Sequence, residues 1–244
     1  MKLKVVFLFL LVAILTSCNN TGDIEYITLS GIVTDFNKSP VDSAVVKIKN
    51  KDFDDIYETF TDKYGRYSLK VKKGIYYSIY VIKEDDYGKS KLEYWAWNVP
   101  LLKDLVLNAR YDRLEVYGIN VFEPKVKPYD TYRIYFRPMS LKKYLEIGEI
   151  KKGDTIDIAP ALTKEDITVK INEVVAGIKT IDRVLEFNSR GNYIFAYEIQ
   201  VMKPEKSILT PAEKVDGFDK ISVFVHSPET GEKGEADYFY KQKN

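Results

Sequence analysis

From residue 27 onward, apolar and polar positions alternate in short runs broken by turn residues, the period of two expected of strands that bury one face. Thr28–Asp35 reads as a first strand, and a polar turn ending at Pro40 leads into Ala44–Ile48, where Ala44, Val46 and Ile48 share one face. Thr61–Tyr67 supplies a turn, after which Tyr67, Leu69 and Val71 point inward. Lys73-Gly74 turns the chain again into Ile75–Lys83.

The same period continues in the second half. In Arg113–Glu123, Leu114 and Val116 share a phase that Ile119 and Val121 break, which predicts a bulge at Gly118. Strands follow at Tyr132–Phe136, Ile156–Ile158, Ile167–Ile171, Ile181–Phe187 and Tyr193–Val201. Ile221–Ser227 and Glu235–Lys241 close a terminal hairpin. The polar stretch Lys203–Lys220, with two prolines, predicts a long exposed loop. Helical periodicity is limited to Leu141, Tyr144 and Leu145, little more than one turn.

The expectation is therefore an all-β chain of two tandem β-sandwiches, the first spanning 27–110 and the second 111–244. Composition agrees: 19 Tyr and 12 Phe suit half-buried strands. A single cysteine, Cys18, leaves no internal disulfide, so stability has to come from buried apolar area.

Residues 1–17 have a different pattern, with Lys2 and Lys4 ahead of an unbroken apolar run from Val5 to Leu15. That run is too short to span a bilayer and fits the hydrophobic region of a secretory signal. Leu15-Thr16-Ser17-Cys18 resembles the lipobox of bacterial lipoproteins. The resemblance implies cleavage before Cys18, acylation of Cys18 and a tether over 18–26. It also implies a membrane partner through the lipid and a place in the cell envelope. Asn19 after the cysteine leans this expectation toward the outer membrane. Without Lys2 and Lys4 the chain carries 35 basic and 36 acidic side chains. Such a balance gives no broad attraction to nucleic acid.

Gly31, Val33 and Asp35, then Pro40, Ala44, Val46 and Ile48, then Thr61, Asp62, Gly65 and Tyr67 together resemble the carboxypeptidase regulatory-like family. The resemblance implies a transthyretin-like β-sandwich and an accessory rather than catalytic module. From the residues themselves, Gly65 suits a turn with positive φ, Asp62 suits capping of nearby backbone N–H groups, and Tyr67 suits a buried ring with a bonded hydroxyl.

Catalytic constellations are hard to assemble from this chain. Its one histidine, His226, falls in phase with Ser222 and Phe224, opposite Ile221, Val223 and Val225. Without a second histidine or a free thiol, common zinc sites lack ligands, and no phosphate loop or nucleophile elbow occurs. Asp54-Asp55 and Glu84-Asp85-Asp86 are the acidic clusters to weigh for a cation or an acid–base pair; solvated turns are the plainer reading. No cofactor and no metal is expected, nor is an enzyme. Lys47 is conceivable in a covalent Lys–Asn crosslink.

The most suggestive patch is Tyr94, Trp95 and Trp97, which holds both tryptophans of the chain. On a strand the two indoles share a face, where they either stack a sugar or plug the first core or the seam between domains. Three functions stay open: an envelope module binding glycan, peptide or protein; a structural or fimbria-like assembly subunit; and a glycoside hydrolase with paired carboxylates.

Overall fold

The computed structural model describes residues 24–125, 130–204 and 215–242. The first half contains β1 (Tyr26–Thr34), β2 (Val45–Lys49), β3 (Asp55–Phe60), β4 (Arg66–Lys72), β5 (Gly74–Ile82), β6 (Tyr94–Leu101), β7 (Leu105–Val106) and β8 (Ala109–Arg110). Next come β9 (Leu114–Phe122), β10 (Thr131–Ser140), the helix α1 (Leu141–Glu146), β11 (Thr155–Ile156), β12 (Ile167–Ile171) and β13 (Val174–Ala176). The chain then completes β14 (Ile178–Phe187), β15 (Tyr193–Met202), β16 (Phe218–His226) and β17 (Lys233–Lys241). The all-β expectation holds, and the short helical signal is α1, capped by the Ser140 side chain accepting from Lys143 N.

Eight strands, in the order β13-β12-β16-β17-β6-β5-β2-β3, form one sheet that continues across residues 110 and 111. The join is a parallel pairing of β17 with β6, Ala236 opposite Trp95 and Tyr238 opposite Trp97. Two smaller sheets, β4-β1-β7/β8 and β9-β10-β15 with β11 and β14, supply the opposing layers. Each encloses its own core. Tyr94 and Ala96 of β6 face the first core, while Trp95 and Trp97 face the second. Successive strand residues point to opposite faces, so the small sheets cover opposite faces of the long one. The first core also takes Val215, Phe218 and Phe239 from the far half of the sequence.

A local irregularity in β6 sustains this arrangement. Asn98 has φ 55° and drops out of the ladder, since Trp97 pairs with Ser78 and Val99 with Tyr76. Tyr77 of β5 drops out opposite it, so the register is kept on both sides, and the left-handed backbone at Asn98 turns the strand so that Val99 and Leu101 follow Tyr94 and Ala96 into the first core. Asn98 Nδ2 donates to Phe239 O at 2.6 Å, tying this kink to β17. Pro100 is tolerated because the β17 ladder reaches only Trp95–Trp97.

The turn residues act as their chemistry predicts. Gly65 has φ 73°, and Asp62 Oδ1 accepts from Tyr64 N and Arg66 N, each at 2.9 Å. Tyr67 donates from its buried hydroxyl to Leu107 O at 2.6 Å. Gly31 permits that carbonyl to approach, since a Cβ there would stand 2.0 Å from Leu107 O. In β9 the bulge at Gly118 (φ 62°) slips the register against β10 between Tyr135 and Arg137, and Leu114, Val116, Ile119 and Val121 all reach one core.

Three features differ from the expectation. β3 and β13 carry little periodic signal because both are edge strands, with every position of β3 exposed or half-exposed and only Ala176 of β13 buried. β16 begins at Phe218, inside the stretch expected to be loop. Its charged start is held inward: Asp219 accepts from Tyr132 Oη at 2.6 Å and from Asn172 Nδ2 at 2.6 Å. Lys220 pairs there with Glu173 and Asp237 at 3.3 and 3.4 Å. Residues 205–214 of that stretch lie outside the described residues.

Candidate functional site

Trp95 and Trp97 stack on one another with centroids 5.0 Å apart and planes 17° from parallel, each only 5–6% exposed. They are not a bare platform, because a ring of aromatic edges covers them. Tyr80 stands against Trp95 at 5.0 Å and Tyr77 against Trp97 at 5.6 Å. Tyr117 meets both indoles, at 5.6 and 5.5 Å. Phe53 lies across the pair from above, at 6.2 and 6.3 Å. Edge-to-face contacts of this kind place the positive ring edge on a negative indole face.

Phe53 reaches the cluster from the tight turn between β2 and β3. It adopts φ 65°, and its N–H donates to Asn50 O at 3.1 Å. Asn50 Oδ1 also accepts from Asp52 N and Asp54 N. Phe53 and Tyr77 remain 40% and 42% exposed, so these two rings present aromatic surface to solvent.

Beside them opens a cleft of about 490 Å³ lined by Phe53, Tyr77, Trp97, Asn98, Tyr117 and Arg137, among others. A second opening of about 430 Å³ lies beyond Tyr77, sharing Tyr77 and Asn98 with the first and adding Ile75, Tyr76 and Lys51. Arg137 donates from Nε to Tyr135 Oη at 2.7 Å and to Glu186 Oε2 at 3.1 Å, which sets its guanidinium on the wall. Trp97 Nε1 is buried without a hydrogen-bond partner. Buried N–H donors in folded proteins nearly always have one.

Below the indoles sits a pair of buried carboxyls. Trp95 Nε1 donates to Glu115 Oε1 at 2.8 Å, and Glu93 Oε2 is buried without a hydrogen-bond partner. Burial raises both above the usual carboxylate range, Glu115 the more strongly, with the Glu93 charge adding to it. Burial likewise raises the Tyr80 and Tyr117 hydroxyls.

Of the residues singled out in the sequence, Trp95 and Trp97 come together here and Tyr94 does not. Tyr94 lies on the opposite face, donating to Asp237 Oδ2 at 2.6 Å. Cys18 lies outside the described residues. The acidic clusters are partly consumed by ion pairs: Asp55 pairs with Lys47 and Lys49, and Glu84 with Lys47 at 3.0 Å. Lys47, weighed for a crosslink, is thus engaged by two carboxylates. His226 is exposed at the end of β16, while Ile221, Val223 and Val225 are buried, as their alternation requires. Sequence reasoning passed over Phe53, Tyr77, Tyr117, Glu93 and Glu115. A lone phenylalanine in the polar turn Asn50–Asp54 was the one available sign of the first.

No family model matches the chain, and no curated protein matches it significantly. Among solved structures it is similar to a DUF3823 family protein from Parabacteroides merdae, with 10% identity, TM-score 0.27, and coverage of 91% of this chain and 100% of that one. A DUF3823 family protein from Bacteroides ovatus gives 9%, 0.26, 89% and 100% in the same terms. BcpA, the major pilin subunit of Bacillus cereus, gives 11%, 0.27, 88% and 67%. At such identity and superposition these likenesses carry no functional argument.

Proposed function

We propose that this chain is a lipid-anchored, non-catalytic envelope module that binds an extended glycan in the cleft walled by Phe53, Tyr77 and Trp97. The observation that carries the reading is the pair of solvent-facing rings, Phe53 and Tyr77, held rigid over a stacked tryptophan pair at the mouth of two adjoining openings. Sugar rings present flat C–H faces and outward hydroxyls. Rigid aromatic surface matches the first, and Asn98, Asn120 and Arg137 on the walls match the second. Two openings joined at Tyr77 suit several sugar units better than one. Anchoring rests on Cys18 and the lipobox-like residues before it, with the outer membrane as the proposed location. Among the described residues no helix is long and apolar enough to cross a membrane.

The test is affinity electrophoresis and pulldown of the purified protein on a panel of insoluble and soluble polysaccharides, with Phe53→Ala and Tyr77→Ala beside it. Retention that either substitution reduces at least tenfold, with the melting temperature held, supports the cleft. Retention unchanged in both variants, or none on any polysaccharide, rejects it.

A further inference from the structure

The charged side chains lining the two openings are all of one sign. The larger opening has Arg137, and the one beyond Tyr77 has Lys49 and Lys51. No carboxylate of the described residues lines either: Asp52 and Asp54, which flank Phe53, and Glu186, the partner of Arg137, stand off both walls. Lys49 is paired with Asp55, whereas Lys51 is exposed and makes no ion pair among the described residues. Arg137 is held through Nε alone, by Tyr135 Oη at 2.7 Å and Glu186 Oε2 at 3.1 Å. Neither Nη group makes a hydrogen bond among the described residues. Trp97 brings to the same wall a buried indole N–H that also lacks an acceptor. The groups left unsatisfied here are therefore all donors. An anionic oxygen pair only accepts, and a guanidinium fork meets it with two parallel bonds.

We infer that the cleft selects an acidic glycan, with Arg137 taking an anionic group of the chain through its Nη groups and Lys51 attracting the chain at the second opening. The inference rests on the glycan reading and adds the charge of the ligand, which that reading leaves open. The two cations act differently. Glu186 already balances the Arg137 charge, so Arg137 supplies direction and a fixed pair of donors. Lys51 has no such partner and supplies net charge, which salt screens. The anionic group is a uronate carboxylate or a sulfate ester, since both present paired oxygens to a guanidinium.

The experiment is affinity electrophoresis of the purified protein at neutral pH on polymers matched in backbone and differing in charge. Polygalacturonate is set against its fully methyl-esterified form, and dextran sulfate against dextran. The first pair isolates a carboxylate and the second a sulfate. Arg137→Gln, Arg137→Lys and Lys51→Gln run beside the wild type, with melting temperatures recorded for each. The readout is the ratio of retention on the acidic polymer to retention on its neutral counterpart.

The expected result is a ratio of about tenfold or more in at least one pair, which falls about tenfold in Arg137→Gln, as loss of a bond to a charged group requires. Arg137→Lys keeps the charge without the fork and recovers only part of the ratio. Lys51→Gln lowers it about two- to fivefold, the scale of an exposed charge, and raising the salt from ~0.05 M to ~0.5 M removes the Lys51 share first. Equal retention within both pairs overturns the inference and leaves the glycan reading standing. A ratio kept by both Arg137→Gln and Lys51→Gln overturns it as well, because another part of the surface then reads the charge. Retention on no polymer of this set or of the wider panel rejects the inference and the glycan reading together. Should Arg137→Gln fail to fold, Arg137→Lys and Lys51→Gln decide by the same ratio.

Discussion

Trp95 and Trp97 are neighbours on one face, stacked on each other and equally buried, yet replacing each by phenylalanine is predicted to cost very different amounts. Both substitutions contract an indole to a phenyl ring and leave a similar void, worth about 1–2 kcal/mol on the scale of lost core volume. The polar terms then separate them. Trp95 Nε1 donates to Glu115 Oε1 at 2.8 Å, and loss of a bond to a carboxyl costs about 1.5–3 kcal/mol. Trp97 Nε1 is buried with no partner, so its removal returns a desolvation penalty of about 1–3 kcal/mol. Trp95→Phe is therefore expected to lose about 3–5 kcal/mol, and Trp97→Phe to be nearly neutral, within about 1 kcal/mol. For a chain of this size the first corresponds to a fall of roughly 6–20 °C in melting temperature. Urea unfolding followed by far-UV circular dichroism measures both without depending on tryptophan emission. The double variant gives the coupling between the rings. Equal losses in the two single variants would refute the reasoning, by showing that Trp97 Nε1 has a partner worth as much as Glu115.

Three further outcomes follow from the same residues. Burial raises Glu93 and Glu115 in the native state, so it holds protons there that the unfolded chain releases near the ordinary glutamate value. Stability therefore falls as pH rises from there to the pair's raised range, by at most ~1.4 kcal/mol per pH unit per proton. Glu115→Gln flattens that fall, as denaturant midpoints across pH will record. Asn98→Gly keeps the positive φ and loses the bond to Phe239 O, costing about 1 kcal/mol. Asn98→Val loses the bond and strains the backbone, costing about 2–3 kcal/mol, so the order of the two melting temperatures tests the positive φ at this position. Gly31→Ala forces a Cβ to within 2.0 Å of Leu107 O and 2.9 Å of the Tyr67 ring. It is expected to lower the melting temperature more than Tyr67→Phe, which removes only the hydroxyl bond to Leu107.

The alternation of apolar and polar residues by itself determined the class of this protein and most of its strands. Side chains leave a strand on alternate faces whatever the strand packs against. Turn chemistry was legible for the same local reason: the positive φ of Gly65, the Asp62 cap and the bulge at Gly118 depend on neighbours a few residues away. That Trp95 and Trp97 share a face followed from their spacing too.

What covers that face did not follow, because it is set by chain segments far apart in sequence. Tyr94 and Trp95 are buried in different cores because the two smaller sheets cover opposite faces of the long sheet, in which β17 from residue 233 onward pairs with β6. Phe53 reaches the indoles through the register of the β2–β3 hairpin, and Tyr117 through packing of β9 across the long sheet. Lys220 and Asp219 looked like loop because charge marks exposure unless a partner is supplied, and Glu173, Asp237 and Tyr132 supply it from other strands. Glu93 and Glu115 are twenty-two residues apart and unremarkable in sequence. Only the tertiary fold removes both from water and gives Glu115 the Trp95 indole N–H.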